Sequence, residues 1–230
     1  MRKTVSLFLI LLFLIPISNL KAQEVDLLWQ GETYTPPFYK GRALWSSQSR
    51  ITLVAIPHGL GDPRNLYYKW TKTGTVLGNI NGVGRNSISF VDSVLSRPQS
   101  IKVDILDSDK TVLATAYANV APVKPFLAIY ENNPLYGFMF HKETSNTYRL
   151  EEKEVTFTAF PFFFSVLDNE DGAMDYEWRT NVGETQTRSS VTYRTPDETK
   201  GTSEIRVRVT STEKIMQFAN RTFLIQYENN

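Results

Sequence analysis

Ile51-Thr52-Leu53-Val54-Ala55-Ile56-Pro57 returns 104 residues later as Val155-Thr156-Phe157-Thr158-Ala159-Phe160-Pro161. In each copy the apolar side chains at positions one, three and five alternate with their neighbours, the period-2 pattern that turns one face of a strand toward a core. The closing proline cannot donate to a ladder, so the strand is expected to stop there. Ile101-Lys102-Val103-Asp104-Ile105 likewise returns as Ile205-Arg206-Val207-Arg208-Val209, again shifted by 104. Two separate strands in one register make an internal repeat of about 100 residues, the size of a small β domain.

Between these anchors the two halves stay parallel. Leu66-Tyr67-Tyr68-Lys69-Trp70 answers Met174-Asp175-Tyr176-Glu177-Trp178, and Ser87-Ile88-Ser89-Phe90 answers Ser190-Val191-Thr192-Tyr193, at shifts of 108 and 103. Insertions and deletions therefore fall in loops. Looser counterparts are Pro37-Phe38-Tyr39-Lys40-Gly41 with Pro134-Leu135-Tyr136-Gly137, and Tyr117-Ala118-Asn119 with Phe218-Ala219-Asn220. Short alternating segments separated by Gly, Asn, Asp and Ser, without helical periodicity, predict an all-β protein of two tandem sandwiches. Candidate turns lie at Gly59 to Pro63, Asn79 to Gly84 and Asp168 to Gly172. The junction falls at Lys124-Pro125 and has no Gly/Ser spacer, which predicts a restricted orientation between the domains.

The chain opens with Arg2 and Lys3, an apolar run from Val5 to Pro16 and the polar Ser18-Asn19-Leu20-Lys21-Ala22-Gln23. That is the layout of a secretory signal peptide, with cleavage expected after Ala22 and an uncleaved anchor as the alternative. The apolar run is short of the roughly 18 to 20 residues that a spanning helix needs, so no permanent span is expected after cleavage. The organisation read from the sequence is a signal peptide over residues 1–22 and immunoglobulin-like sandwiches over 23–123 and 124–230. Without residues 1–22 the chain keeps 22 basic and 24 acidic residues, a net charge of about −2. Such a balance does not favour a phosphate backbone, so nucleic acid is not expected as a partner. The chain has no cysteine. Exported animal domains of this size usually carry disulfides, which makes bacterial export the simpler reading and Asn220-Arg221-Thr222 a stretch of strand rather than a glycosylation site.

Trp70 and Trp178, each on the third strand of its domain, resemble the buried tryptophan of the immunoglobulin-like superfamily. The positions of that superfamily's inter-sheet cysteines are filled here by Leu53 and Val103, and by Phe157 and Val207, so the predicted core centres on these six residues. Polycystic-kidney-disease-type modules are similar in strand order, but their glycine-rich motif is replaced by Thr71-Lys72-Thr73-Gly74 and Arg179-Thr180-Asn181-Val182-Gly183. Asp26-Leu27-Leu28-Trp29, Tyr34 to Gly41 and Asn133-Pro134-Leu135-Tyr136-Gly137 make the chain look like exported proteins of candidate-phyla bacteria, parcubacterial lineages especially. That resemblance implies a cell-envelope setting and carries no activity.

The chemistry of a catalyst is thin. His58 and His141 are the two histidines, neither in a metal-ligand or nucleophile motif, and no glycine cluster has phosphate-loop spacing. Asp168, Glu170 and Asp171 form the best calcium candidate, yet Ala173 and Arg179 stand where a twelve-residue calcium loop needs glycine and glutamate, and a solvated turn is the simpler reading. Asp104, Asp107 and Asp109 read as a second solvated turn. Phe162, Phe163 and Phe164, crowded with Phe160 around Pro161, read either as core or interdomain packing or as a contact surface. Tyr34, Phe38, Tyr39 and Trp45 raise the same question, with a sugar platform as one answer. No cofactor and no enzymatic activity are expected. The leading reading is an exported spacer or adhesive interaction module of the cell envelope, of the kind used in a surface appendage or secretion assembly, with an envelope protein or glycan as partner. The alternative is a carbohydrate-binding sandwich.

Overall fold

The computed structural model describes residues 23–181, 184–195 and 200–227. The segment assigned to a signal peptide, residues 1–22, lies outside the described residues, as does Val182-Gly183. No helix among the described residues is long and apolar enough to cross a membrane.

The first half of the chain forms β1 (Glu24–Gly31), β2 (Arg50–His58), β3 (Tyr67–Lys72), β4 (Thr75–Val76), β5 (Gly82–Val83), β6 (Ser87–Val91), β7 (Gln99–Leu106) and β8 (Val112–Val120). The second forms β9 (Phe126–Asn133), β10 (Gly137–Phe138), β11 (Thr147–Leu150), β12 (Glu154–Phe162), β13 (Met174–Thr180), β14 (Ser190–Arg194), β15 (Gly201–Ser211) and β16 (Phe218–Tyr227). One sheet of the first half runs β1-β2-β6 and the other β4-β3-β7-β8, with β5 also on β3. The second half repeats this as β10-β9-β12-β14 and β11-β16-β15-β13. Each half is an immunoglobulin-like β-sandwich, so the fold is all-β and tandem. Asn220, Arg221 and Thr222 lie inside β16.

Sandwiches of this kind must cover two inner faces with alternate residues of every strand. In the first, Leu53 on β2 and Val103 on β7 come from opposite sheets and share one buried cluster with Trp70. In the second, Phe157, Val207 and Trp178 do the same. Register repeats as well: Trp70 faces Val103 and Trp178 faces Val207 in the ladders. A buried indole N–H needs an acceptor. The Trp70 indole donates to the Arg85 carbonyl and the Trp178 indole to the Arg188 carbonyl, both at 2.8 Å. Each acceptor stands two residues before the first residue of β6 or β14, so the bond ties one sheet to a strand of the other.

Two expectations are corrected. Pro57 and Pro161 do not end their strands, because β2 and β12 continue to His58 and Phe162. The reason is the partner on one side. Ala55 and Ala159 donate across to the Asn86 and Ser189 carbonyls, so by the two-residue period the missing N–H of each proline points beyond the last pair made with β6 or β14. A proline costs nothing where no ladder remains. Gly82, placed above in a turn, pairs with Tyr68 as part of β5.

Replacing Trp70 or Trp178 by Phe removes the N–H and strands a loop carbonyl, for an expected loss of about 1–3 kcal/mol, while Ala should cost about 3–5 kcal/mol. Urea unfolding of the variants checks this; a Phe variant as stable as the parent would mean that the sheet-to-sheet bond contributes nothing.

Candidate functional site

The chain between β1 and β2 is 18 residues long, far more than the turn of a simple hairpin requires. Its neck is closed by a backbone contact at Gly31, whose N–H donates to the Ala43 carbonyl at 2.8 Å. A Cβ at Gly31 would stand 2.6 Å from the Leu44 carbonyl oxygen, so only glycine lets the outgoing strand pass the returning one this closely. The Thr33 hydroxyl donates to the same Leu44 carbonyl at 2.8 Å. The loop thus stands out as a compact unit with its ends together.

This loop lies on the second sandwich. Tyr34 and the chain after β12 exchange two backbone bonds: Tyr34 donates to the Phe164 carbonyl at 2.7 Å, and Phe163 donates to the Tyr34 carbonyl at 2.9 Å. Phe38 sets its ring against Tyr130, Phe140, Phe160 and Phe162 at centroid distances of 5.1, 4.3, 5.5 and 6.0 Å. Tyr39 adds edge contacts to Phe162 and Phe163. The covered surface is the outer face of the sheet holding β9 and β12, where Ala128, Tyr130, Phe160, Phe162 and Phe163 form a buried cluster of their own.

Phe163 is held at a φ of 64°, a left-handed conformation that costs a bulky residue of the order of 1–2 kcal/mol. It resets the strand's alternation. Phe163 joins Phe162 on the outer face, and Phe164 turns inward to the core of the second sandwich. Phe162, Phe163 and Phe164 are therefore buried within the chain and do not form a free contact surface. The same holds for the aromatic group set aside for a sugar. Trp45 is fully buried, Tyr34 is tied to Phe163 and Phe164, and Phe38 and Tyr39 are spent on the second sandwich.

Another flank of the junction is polar. Gln217, fully buried, donates to the Ser47 carbonyl (2.8 Å) and to the Ser165 (2.8 Å) and Ser46 (3.1 Å) hydroxyls, and accepts from the Ser165 N–H (2.8 Å). Met216 donates its N–H to Gln48 at 2.9 Å. Beside these contacts runs a cleft of about 780 Å³ bordered by Glu32, Arg50, Tyr34, Asp171 and Lys214. Burial, and then the charge of Asp168, push the Tyr34 phenol above its ordinary range. Arg50 pairs with Glu32 at 3.4 Å.

The acidic turn beside this cleft folds onto itself. Asp168 accepts from the Glu170 N–H at 2.8 Å, and Asp171 accepts from the N–H groups of Leu167 (3.0 Å) and Ala173 (2.9 Å). Those backbone donors, Leu167 first, hold the Asp171 carboxyl below the usual carboxylate range and make it a poor base. Glu170 instead bonds the Ser189 hydroxyl. Among the described residues no three His, Asp or Glu side chains converge as a metal site would require. Asp104, read above as part of a turn, is buried in β7 against Lys102 and Thr115, while Asp107 caps the turn to β8 through the Asp109 and Thr111 N–H groups. His58 closes β2 beside Asp26 at 3.0 Å.

Exposed apolar side chains are scattered over the described residues, Leu95, Leu167 and Ile215 among them, and two further groups lie on defined features of the fold. On the outer face of β1 and β2, Leu28 (51% exposed), Val54 and Ile56 (37%) line a groove of about 440 Å³, edged by Arg42 stacked 4.5 Å over the Trp29 ring. At the far end of β9, Leu135 (84%) and Tyr136 (76%) project from a turn in which both their N–H groups donate to the Asn133 side chain.

No protein-family model matches the chain, and no curated protein matches it in sequence. Among solved structures it is similar to the fibronectin(III)-like modules of Clostridium thermocellum CbhA, at 11% identity and a TM-score of 0.28, over 87% of this chain and 94% of that one. It is also similar to the FN1-FN3 domains of chicken CNTN1, at 7% identity and a TM-score of 0.32, over 82% of this chain and 65% of that one. A β-glycosidase from Bacteroides vulgatus aligns at 10% identity and a TM-score of 0.27, over 89% of this chain and only 24% of the glycosidase. Likenesses this low assign neither partner nor activity; the fold stands on the chain's own sheets.

Gln217→Leu leaves the serine groups of the junction unpaired and should cost about 1–3 kcal/mol, and Phe38→Ala, a half-buried truncation, about 2 kcal/mol. In denaturant titrations the parent should unfold in one transition and both variants should separate the unfolding of the two sandwiches; unchanged midpoints in both variants would refute a coupled junction.

Proposed function

We propose that the chain is an exported, non-enzymatic protein of the bacterial cell envelope, a two-sandwich spacer and interaction module. The observation that carries this reading is the junction itself. A built aromatic contact on one flank and a buried glutamine on another hold the sandwiches in one orientation, while apolar side chains stay exposed away from it, at Leu28, Ile56, Leu135 and Tyr136. A spacer needs a stiff joint, and an interaction module needs accessible apolar anchors. Catalysis finds little support, because Asp168 and Asp171 of the acidic turn are committed to their own backbone and Glu170 to the Ser189 hydroxyl. Export is supported by the Arg2-Lys3 start and the apolar run from Val5 to Pro16, and a bacterial source, given export, by the absence of cysteine.

Fractionation of cells producing the chain with a C-terminal tag should place it in the envelope or medium, beginning at Gln23. In-cell crosslinking should then capture it in complexes larger than one chain. A full-length cytoplasmic product would overturn the export, and a glycan-array signal lost on Tyr136→Ala would favour the sugar-binding alternative.

A further inference from the structure

The sheets built on β3 and on β13 turn the same ladder positions outward but do not carry the same charges there. Trp70 opposite Val103 and Trp178 opposite Val207 fix the equivalence, so Lys69, Thr71, Lys102 and Asp104 correspond to Glu177, Arg179, Arg206 and Arg208. In the first sandwich the central group is an acid. Asp104 is buried opposite Lys69, takes the Lys102 ammonium at 2.8 Å and the Thr115 hydroxyl at 2.7 Å, and the Tyr117 ring flanks Lys102. That face satisfies itself.

In the second sandwich the central group is Arg208, and the sign is reversed. Arg206, two residues before it, stands directly opposite Arg179, a like-charge pair that destabilises a sheet. Two acids serve these three guanidinium groups. Glu177 accepts from the Arg179 Nε at 2.7 Å, and Glu204 accepts from the Nε of Arg206, whose terminal nitrogens stay unspent. Arg208 has no hydrogen bond or ion pair among the described residues, although Glu177 faces it in the ladder. Thr222 stands opposite Arg206 where Tyr117 stands opposite Lys102, so the flanking ring is missing as well. The three arginines and Glu177, with Asn220 and Thr222 of β16, line a groove of about 270 Å³.

Guanidinium forks match planar carboxylates and bind them in a bidentate manner. A bare carboxylate would use the arginines and leave Glu177, Asn220 and Thr222 idle. A sugar ring that carries a carboxylate beside its hydroxyls engages both sets, since its hydroxyls can donate to Glu177 and exchange hydrogen bonds with the Asn220 amide and the Thr222 hydroxyl. We infer that this face of the second sandwich binds an acidic polysaccharide, with the carboxylate of a uronic acid ring seated between Arg206 and Arg208. A site for one ring on an exposed face binds weakly and is screened by salt. The inference gives a partner chemistry to the interaction module proposed above and rests on that reading only for the setting in which chain and glycan meet. Binding is measured on the purified chain, so its failure leaves the export reading to its own test.

Surface plasmon resonance of the chain from Gln23 onward, which contains both sandwiches whole, tests it on immobilised polygalacturonate. Amylose serves as the neutral polysaccharide and polyglutamate as a carboxylate polymer without sugar rings. The parent is expected to bind polygalacturonate, to weaken as salt is raised, and to bind amylose and polyglutamate at least about tenfold less well. Arg208→Asp, which restores the charge pattern of the first sandwich, and Arg206→Gln should each weaken binding about tenfold or more. Both should keep the parent's unfolding midpoint, because the two side chains are exposed. Lys69→Gln removes a charge from the counterpart face and should leave binding unchanged. A parent that does not bind polygalacturonate, equal binding to polyglutamate, an Arg208→Asp variant that still binds, or an equal loss in Lys69→Gln would each overturn the inference.

Discussion

Each sandwich hangs on one indole. Two sheets that pack face to face resist sliding only through what crosses the gap between them, and in cysteine-free domains that load falls on shape and on buried polar bonds. Here the crossing group is a tryptophan on β3 or β13 whose N–H reaches a carbonyl just ahead of a strand in the opposite sheet. Flanking it, Leu53 with Val103 and Phe157 with Val207 are buried in the same clusters between the sheets. The bond is directional and the packing is not, so the indole sets the registration of the sheets while the aliphatic and phenyl groups supply most of the burial energy. The junction is tied to that registration, because Ala159 and Phe160, neighbours on β12, belong to the inner core and to the cluster under the loop respectively.

The junction combines the same two kinds of force in different places. On the aromatic flank, rings meet edge to face around Phe38, and Phe126 stacks on Phe162 at 4.5 Å, arrangements that suit the quadrupoles of the rings. On the polar flank, Gln217 is surrounded by partners from both sandwiches, which makes it specific to one relative orientation. The strained Phe163 is intelligible from this geometry. A regular strand would have sent its ring inward and Phe164 outward; a single left-handed residue exchanges them and puts a third phenyl group under the loop.

How far this could be read from the residues varies with the range of the interaction. The sandwich cores were legible because period-2 alternation is a local signal, and repetition at 104 residues made it unambiguous at Leu53, Val103, Phe157 and Val207. The prolines misled because their cost depends on where the neighbouring strand stops, which is set by β6 and β14 and not by β2 and β12 themselves. The junction was the least legible part. Nothing local says that Phe38 lies on Phe160, and the run Phe162-Phe163-Phe164 reads equally as core or as surface until the reversal at Phe163 is known. Two signals could have found it: the length of the segment between the first two strands, and the density of Pro and aromatic residues within it. The acidic turn was decided by distances of about a hydrogen bond, a scale to which composition is blind.

The two sandwiches share a core register and use the outer face of the first hairpin differently. The two outer faces show how. On the second sandwich the centre of the face is largely aromatic, and Tyr130, Phe160, Phe162 and Phe163 are buried there. On the first, the equivalent strands place Asp26, Gln30 and Thr52 around Leu28, Val54 and Ile56, and His58 beside Asp26 takes the place of Phe162. Polar groups at the rim limit what an exposed apolar patch can recruit nonspecifically while keeping its centre available. The apolar side chains of the connecting segments differ likewise: Phe38 is half-buried within a cluster of rings, whereas Leu135 and Tyr136 stand on a turn held by Asn133 and face solvent. Divergence between the halves is thus concentrated at the positions that decide whether a face is sealed or open, while the residues that set each core keep their register.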